Sequence, residues 1–218
     1  MNPKAWRFSA LLWLGAFLCL LATRAWAADW VQVRAAVDGD TLVLASGQTV
    51  RLAGIDAPEL GHDGQPAQYY AAQSRAELQR LVDGQMVRLQ VLGRDRYGRM
   101  LAVVFGRDGA MLNERMVALG AVFVFPHKDD EALFDRLLSA QRLAMDRELG
   151  FWPRILRLPA ASERYVGTRS SRRFHRLSCP YASRISARNR QYFASLRSAF
   201  AAGYSPCRTC TPWPHSSR

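Results

Sequence analysis

Arg51-Leu52-Ala53-Gly54-Ile55-Asp56-Ala57-Pro58-Glu59 is the stretch on which the fold depends. Thr49 to Ile55 reads as a strand, and Ala57-Pro58-Glu59 as its exit. Upstream, Trp30 to Val37 and Thr41 to Ala45 read as two more short strands. Asp38-Gly39-Asp40 and Ser46-Gly47 punctuate them as turns. Downstream, Gly61 to Gly64 is a loop, and Pro66 opens a helical run through Leu81 with Ala72, Ala76, Leu78 and Leu81 expected to be buried. Met86 to Leu92 alternates like a strand, Arg94 to Arg99 is a polar turn, and Met100 to Phe105 is the next strand. Met111 to Leu119 and Glu131 to Leu149 read as helices.

Three strands, a helix, two strands and further helices place the chain in the α+β class. The pattern fits a five-stranded antiparallel β-barrel of the OB type with helices packed outside, although other small α+β folds share it. Phe151 to Ser162, with Pro153 and Pro159, reads as a linker. The expected organisation is a signal peptide at 1–27, a barrel domain at 28–152, a linker at 153–163 and a basic Cys/His module at 164–218.

Lys4 and Arg7 precede the apolar run Ala10 to Ala22, and Ala25-Trp26-Ala27 ends it. A basic start, a short apolar stretch and an A-x-A site describe a cleavable signal peptide. The run falls short of the roughly 18 apolar residues that a spanning helix needs, and Leu18 before Cys19 argues against a lipoprotein site. Export is expected, to the periplasm or as a secreted protein, with a mature chain from near Ala28 and no stable membrane insertion.

Among its 218 residues the chain carries a formal net charge of +12, unevenly placed. Residues 28–150 hold 14 Lys and Arg against 17 Asp and Glu, whereas residues 151–218 hold 13 Arg, no Lys and a single acid, Glu163. An arginine-rich half is a polyanion-binding signature, so nucleic acid is the expected partner of a monomer. A merely solvated basic tail is the plainer reading, but aromatics and cysteines are interleaved with these arginines.

Asp40 and Asp56 sit at the ends of neighbouring strands, each beside a turn. Two carboxylates at one loop edge are hard oxygen ligands suited to calcium or magnesium. Breaking a phosphodiester calls for a cation and rigid positive donors near the non-bridging oxygens, where charge builds in the transition state. Arg51 lies five residues before Asp56, so on a regular strand the two would project to opposite faces. The strand must twist or end before Asp56 if both are to meet one phosphate. Singly, Asp-Gly is an ordinary hairpin turn, Ala57-Pro58-Glu59 an ordinary strand exit and Arg96-Tyr97-Gly98-Arg99 an ordinary exposed turn. Their joint occurrence in this order is what points to phosphodiester chemistry.

Val37-Asp38-Gly39-Asp40-Thr41, Arg51 to Glu59 and Asp95-Arg96-Tyr97-Gly98-Arg99 together resemble the three motifs of the thermonuclease (staphylococcal nuclease-like) family. Leu112-Asn113-Glu114 and Gly120 continue the match, which covers roughly Val33 to Trp152. The resemblance implies an OB-fold endonuclease in which Asp40, Asp56 and the backbone carbonyl of Ala57 bind calcium, with Asp38 supporting the metal from behind. It implies that Arg51 and Arg99 hold the scissile phosphate, that Glu59 orients or deprotonates the attacking water, and that Tyr97 binds a neighbouring phosphate beside Arg96. Products with 3′-phosphates and 5′-hydroxyls go with the family. Its nucleotide-stacking tyrosines have no match in Val122-Phe123-Val124-Phe125-Pro126, where phenylalanine offers a stacking face without a hydroxyl.

Of four cysteines, Cys19 leaves with the signal peptide, and the three that remain cannot form a complete disulfide set. His175, Cys179, Cys207 and Cys210 are spaced H-x3-C and C-x2-C, two pairs that suit tetrahedral zinc. The alternative is a Cys207–Cys210 disulfide with Cys179 free. Phe174 to Cys179 and Ala202 to Pro212 resemble the zinc domain of the Ada-type DNA alkylation-repair protein. His175 stands where that family has its methyl-accepting cysteine, so methyl transfer is not implied, and a zinc-stapled platform is.

The expectation is therefore an exported, calcium-dependent nuclease acting on DNA or RNA, with cleavage in one half and capture of long substrate in the other. The rival is a catalytically silent OB-type protein that binds nucleic acid or the anionic envelope. Loss of the arginines or carboxylates would be its signature, and all are present.

Overall fold

The computed structural model describes residues 30–61, 64–125, 130–210 and 213–216; the expected signal peptide and Pro126 lie outside them. Strands β1 (Trp30–Ala36), β2 (Thr41–Leu44), β3 (Thr49–Leu52), β5 (Met86–Arg94) and β6 (Met100–Phe105) close into a barrel in the order β1-β2-β3-β6-β5. Leu42, Val50, Leu52, Ala102 and Val104 are wholly buried in its core. The expectation of an antiparallel barrel is corrected at one seam, where β3 and β6 run parallel. An odd number of strands cannot alternate direction all the way round a closed ring, so one pairing must be parallel.

The third strand stops at Leu52, three residues before its expected end. Gly54 turns the chain with φ +78°, and a separate two-residue strand β4 (Ile55–Asp56) then pairs with β7 (Phe123–Val124) outside the barrel. Only glycine suits that turn. Besides the positive φ, a Cβ there would come within 2.6 Å of Leu137 Cδ1 on the long helix Glu131–Asp146, which packs directly on the turn.

Helix Ala71–Val82 buries Ala71, Ser74, Leu78 and Val82, a 3-4-4 spacing along one face. Of the positions expected inside, only Leu78 is; Ala72 and Ala76 are exposed and Leu81 is half-buried. The helix starts later than Pro66 because the preceding segment is tied elsewhere. Gln68 N donates to Glu59 O at 2.9 Å, and Tyr69 N to Pro214 O at 2.8 Å.

The segment expected as a linker is folded. Trp152–Ile155 forms one helical turn and Pro159–Ser162 a 3₁₀ turn. Pro153 and Pro159 stand in the first positions of these turns, where a missing N–H costs nothing, so they start structure rather than break it. Beyond lies a second sheet of β8 (Tyr165–Thr168), β9 (Arg173–Arg176), β10 (Arg190–Phe193) and β11 (Ser205–Pro206), in the order β10-β8-β9-β11.

The two sheets share a core. Phe123, Met145, Phe151 and Trp152 from the barrel side pack with Tyr165, Phe174, Phe200 and Trp213 from the other. Gln141 Nε2 donates to Phe200 O at 2.7 Å, and the chain end returns so that Trp213 Nε1 donates to Tyr69 O at 3.0 Å. Phe123, offered by the sequence as a base-stacking face, is spent in this cluster at 5% exposure. Among the described residues, no helix is long and apolar enough to cross a membrane.

Candidate active site

The turn at Gly54 settles the spacing problem of Arg51 and Asp56. Because β3 ends before it, both side chains reach one pocket, where Arg51 Nη2 lies 2.7 Å from Asp56 Oδ1 and 3.1 Å from Asp40 Oδ2. A buried asparagine fixes the bend. Asn113 donates from Nδ2 to Ala53 O at 2.8 Å, while its Oδ1 accepts from Val104 N at 2.9 Å. The side chain is fully buried and holds the chain leaving β3 against β6.

Asp40 is placed by its neighbours on the β1–β2 turn. Its Oδ1 accepts from Thr41 Oγ1 at 3.0 Å and its Oδ2 from Ala57 N at 2.6 Å, and its own N–H donates to Asp38 Oδ1 at 2.9 Å. Gly39 precedes it for want of space, since a Cβ there would meet Ser74 Cβ at 2.8 Å and Ala57 Cβ at 2.9 Å.

A cavity of about 240 Å³ is lined by Asp38, Asp40, Arg51, Asp56, Ala57, Glu59, Tyr97 and Arg99, with Arg208 and Pro58. Burial pushes Asp40 up to about 6 against the pull of Arg51, and burial likewise raises Asp56. Burial works against the charge of Arg51 too, but Asp40 and Asp56 overcome it and hold the guanidinium ionised. One buried arginine thus serves two buried carboxylates, leaving negative charge that a cation would answer. The oxygen-only donor set suits a hard ion such as calcium.

Arg99 is held from the side, with Nε donating to Asp95 Oδ2 at 2.7 Å and Nη1 to Thr41 Oγ1 at 3.4 Å. Its Nη2 donates to no protein atom among the described residues. Tyr97 is 67% exposed at the cavity rim. Arg96 lies over the Tyr97 ring at 4.8 Å and faces the neighbouring groove rather than the cavity itself. Glu59 is half-exposed, its carboxyl raised by burial and pulled back down by Arg208.

In the second sheet, the ligand atoms of His175 on β9, Cys179, Cys207 after β11 and Cys210 all lie within 4.8 Å of one another. Tetrahedral zinc with S ligands sets its donors roughly 3.8 Å apart, so this cage is of the right size. The cysteines are free thiols, without the Cys207–Cys210 disulfide. Burial, with the charge of Arg173, lowers His175, favouring the neutral imidazole that a metal ligand must be. The sequence missed Arg208, which lies 3.1 Å from Glu59 and 3.5 Å from Asp56. Its place between two ligand cysteines was visible, but nothing in the spacing said which way that turn faces.

The staphylococcal nuclease homologue profile matches residues 49–154, and that of the metal binding domain of Ada matches 157–212. The first range holds Arg51, Asp56, Ala57, Glu59, Arg96, Tyr97 and Arg99 but begins after Asp40; the second holds all four Cys/His residues. An uncharacterized endonuclease of Escherichia coli O157:H7 is 34% identical over 119 residues, 53% of this chain and 72% of the relative. A probable endonuclease LCL3 of Komagataella phaffii is 29% identical over 109 residues, 47% of this chain and 48% of the relative. The barrel, the pocket beside its broken strand and these matches agree that the chain belongs to the staphylococcal nuclease homologue family, as a nuclease that also carries an Ada-type metal-binding domain.

Proposed function

We propose that the protein is an exported nuclease that hydrolyses phosphodiester bonds of DNA or RNA with calcium as cofactor, leaving 3′-phosphates. The observation that carries this reading is the bridging of Asp40 and Asp56 by Arg51 in one cavity with Glu59 and Arg99. Asp40, Asp56 and the carbonyl of Ala57 would hold the ion, which when bound polarises a phosphoryl oxygen.

Arg51 keeps Nε free of protein partners among the described residues, and Arg99 keeps Nη2. Each can donate to a non-bridging oxygen, where charge accumulates as water adds to phosphorus. Glu59 accepts a proton from that water or orients it. The P–O5′ bond breaks, the phosphate stays on the 3′ side, and the departing oxygen takes a proton from solvent. Tyr97 and Arg96 line the way out and meet the neighbouring phosphate. Zinc in the His175, Cys179, Cys207 and Cys210 cage is structural, because four protein ligands leave no open position. The cavity is complete within one chain, which suits a monomer.

Purified protein should nick supercoiled plasmid with calcium, stop on chelation with a calcium-selective chelator, and resume on calcium addition. Arg51→Ala, Arg99→Ala and Asp40→Ala should each lower kcat by about two orders of magnitude. An Arg99→Ala protein that cuts at the original rate would refute the site. Export is checked separately, by finding a mature amino terminus near Ala28 in the periplasm or medium.

A further inference from the structure

Arg208 sits on the tight turn between Cys207 and Cys210, on the far side of the molecule's sequence from the nuclease motifs. The backbone entering the turn is fixed twice. Cys207 N donates to Phe174 O at 2.9 Å, and Pro206 O accepts from Arg173 Nη1 at 2.8 Å. Cys207 itself is buried, and Thr209 N points to its sulfur at 3.4 Å. From this anchored base the Arg208 side chain crosses to the barrel. It meets Glu59 Oε1 at 3.1 Å and Asp56 Oδ1 at 3.5 Å while remaining 61% exposed.

We propose that Arg208 is a further substrate-binding arginine of the nuclease site, beside Arg51, Arg96 and Arg99, delivered by the Cys/His-held turn to contact phosphate on the Glu59 side of the cavity. The proposal rests on reading that cavity as the site of cleavage. Arg51 and Arg99 approach from the barrel, and Arg208 supplies a guanidinium where the barrel offers only carboxylates. Its contacts go to two carboxylates, which leaves most of its five N–H groups open to a phosphate.

Arg208 also belongs to a second cavity. A groove of about 600 Å³ adjoins the first and is lined by Arg96 from the barrel and by Arg173, Arg184 and Arg208 from the other sheet, with Tyr181 beside them. Tyr181 is 47% exposed, and the Arg184 guanidinium lies 5.5 Å from its ring centre. Positive charge along a groove with an exposed aromatic face suits a single strand, whose phosphates pair with arginine and whose bases stack. Arg208 stands where cavity and groove meet, so a strand leaving the cavity along this groove must pass it. The Cys/His module is on this account part of the active site and not a separate holder.

Full-length Arg208→Ala is compared with the unaltered protein, with Arg208→Lys, and with Arg164→Ala. Arg164 is an exposed arginine of the same module that lines neither cavity. Zinc content and thermal unfolding should be the same in all four, showing that the turn is intact. Affinity for a short fluorescent oligothymidylate in calcium-free buffer should fall at least about 5-fold in Arg208→Ala, and its log–log salt slope should become shallower by roughly 0.7. With calcium, kcat/KM should fall about 10- to 100-fold, Arg208→Lys should recover part of both losses, and Arg164→Ala should match the unaltered protein. Unchanged affinity and slope in Arg208→Ala would overturn the proposal. So would a rise in kcat, because that would make Arg208 a plug that substrate must displace. Failure of the cavity as the cleavage site would show instead in Arg99→Ala, whatever Arg208→Ala does.

Discussion

At the scale of single residues, the pocket depends on a side chain that does not line it, the buried amide of Asn113. Arg51 and Asp56 have the wrong parity for one face of one strand, and the sequence left only the condition that the strand bend or stop. Asn113 meets that condition by taking the carbonyl of Ala53 and the N–H of Val104 into one buried amide. Its role was invisible because an asparagine inside a helical pattern looks like any polar position. Asn113→Ala would leave a buried donor and a buried acceptor without partners. Each costs about 1–3 kcal/mol, so a loss of about 3 kcal/mol in unfolding free energy is expected. Denaturant unfolding checks this, and the surviving folded protein should show a weakened kcat, since the bend that joins Arg51 to Asp56 loosens. A stability within about 0.5 kcal/mol of the original would mean that the amide is not what fixes the turn.

At the scale of elements, strand identities followed from short β-branched runs between turn residues, and Met100–Phe105 falls where it was expected. The misreadings share one cause, the partners of a segment being out of sight in the chain. The helix after Pro66 begins at Ala71 because the segment before it pairs with residues 213–216. The metal cage is likewise built from separated pieces: β9 gives His175, a short helix start gives Cys179, and the turn after β11 gives the last two cysteines. Spacing suggested the set, and the fold brings its ligand atoms together. Metal analysis should give about one zinc per chain, with the three cysteines of residues 28–218 titrating as thiols after denaturation under chelator. His175→Ala removes one of four ligands and should weaken zinc retention by at least an order of magnitude. Metal-free protein bearing a Cys207–Cys210 disulfide and one free thiol would refute the cage.

At the scale of the whole molecule, the uneven charge suggested two parts with separate tasks, one cutting and one holding. The arginines gather in residues 151–218, but separateness does not follow from charge. What joins the parts is apolar. Phe123, Phe151 and Trp152 are covered by Phe200 and Trp213, with ring centroids 4.7 Å apart for Phe151 and Trp213 and 5.0 Å for Trp152 and Phe200. A chain ending at Pro159 would lose that cover. The three barrel-side aromatics bury on the order of 150–250 Å² each, and re-exposing roughly 250 Å² of that total costs about 6 kcal/mol. That is the size of the whole stability of an ordinary domain. The shortened chain is therefore expected to aggregate or to lack a cooperative unfolding transition. The full chain should unfold in a single calorimetric transition, because neither half can open without exposing the shared aromatic cluster. A soluble chain ending at Pro159 with the kcat of the full-length protein would show that the barrel stands alone. It would also show that the return of residues 213–216 to the segment around Tyr69 is dispensable, and that the second sheet does not help to build the site.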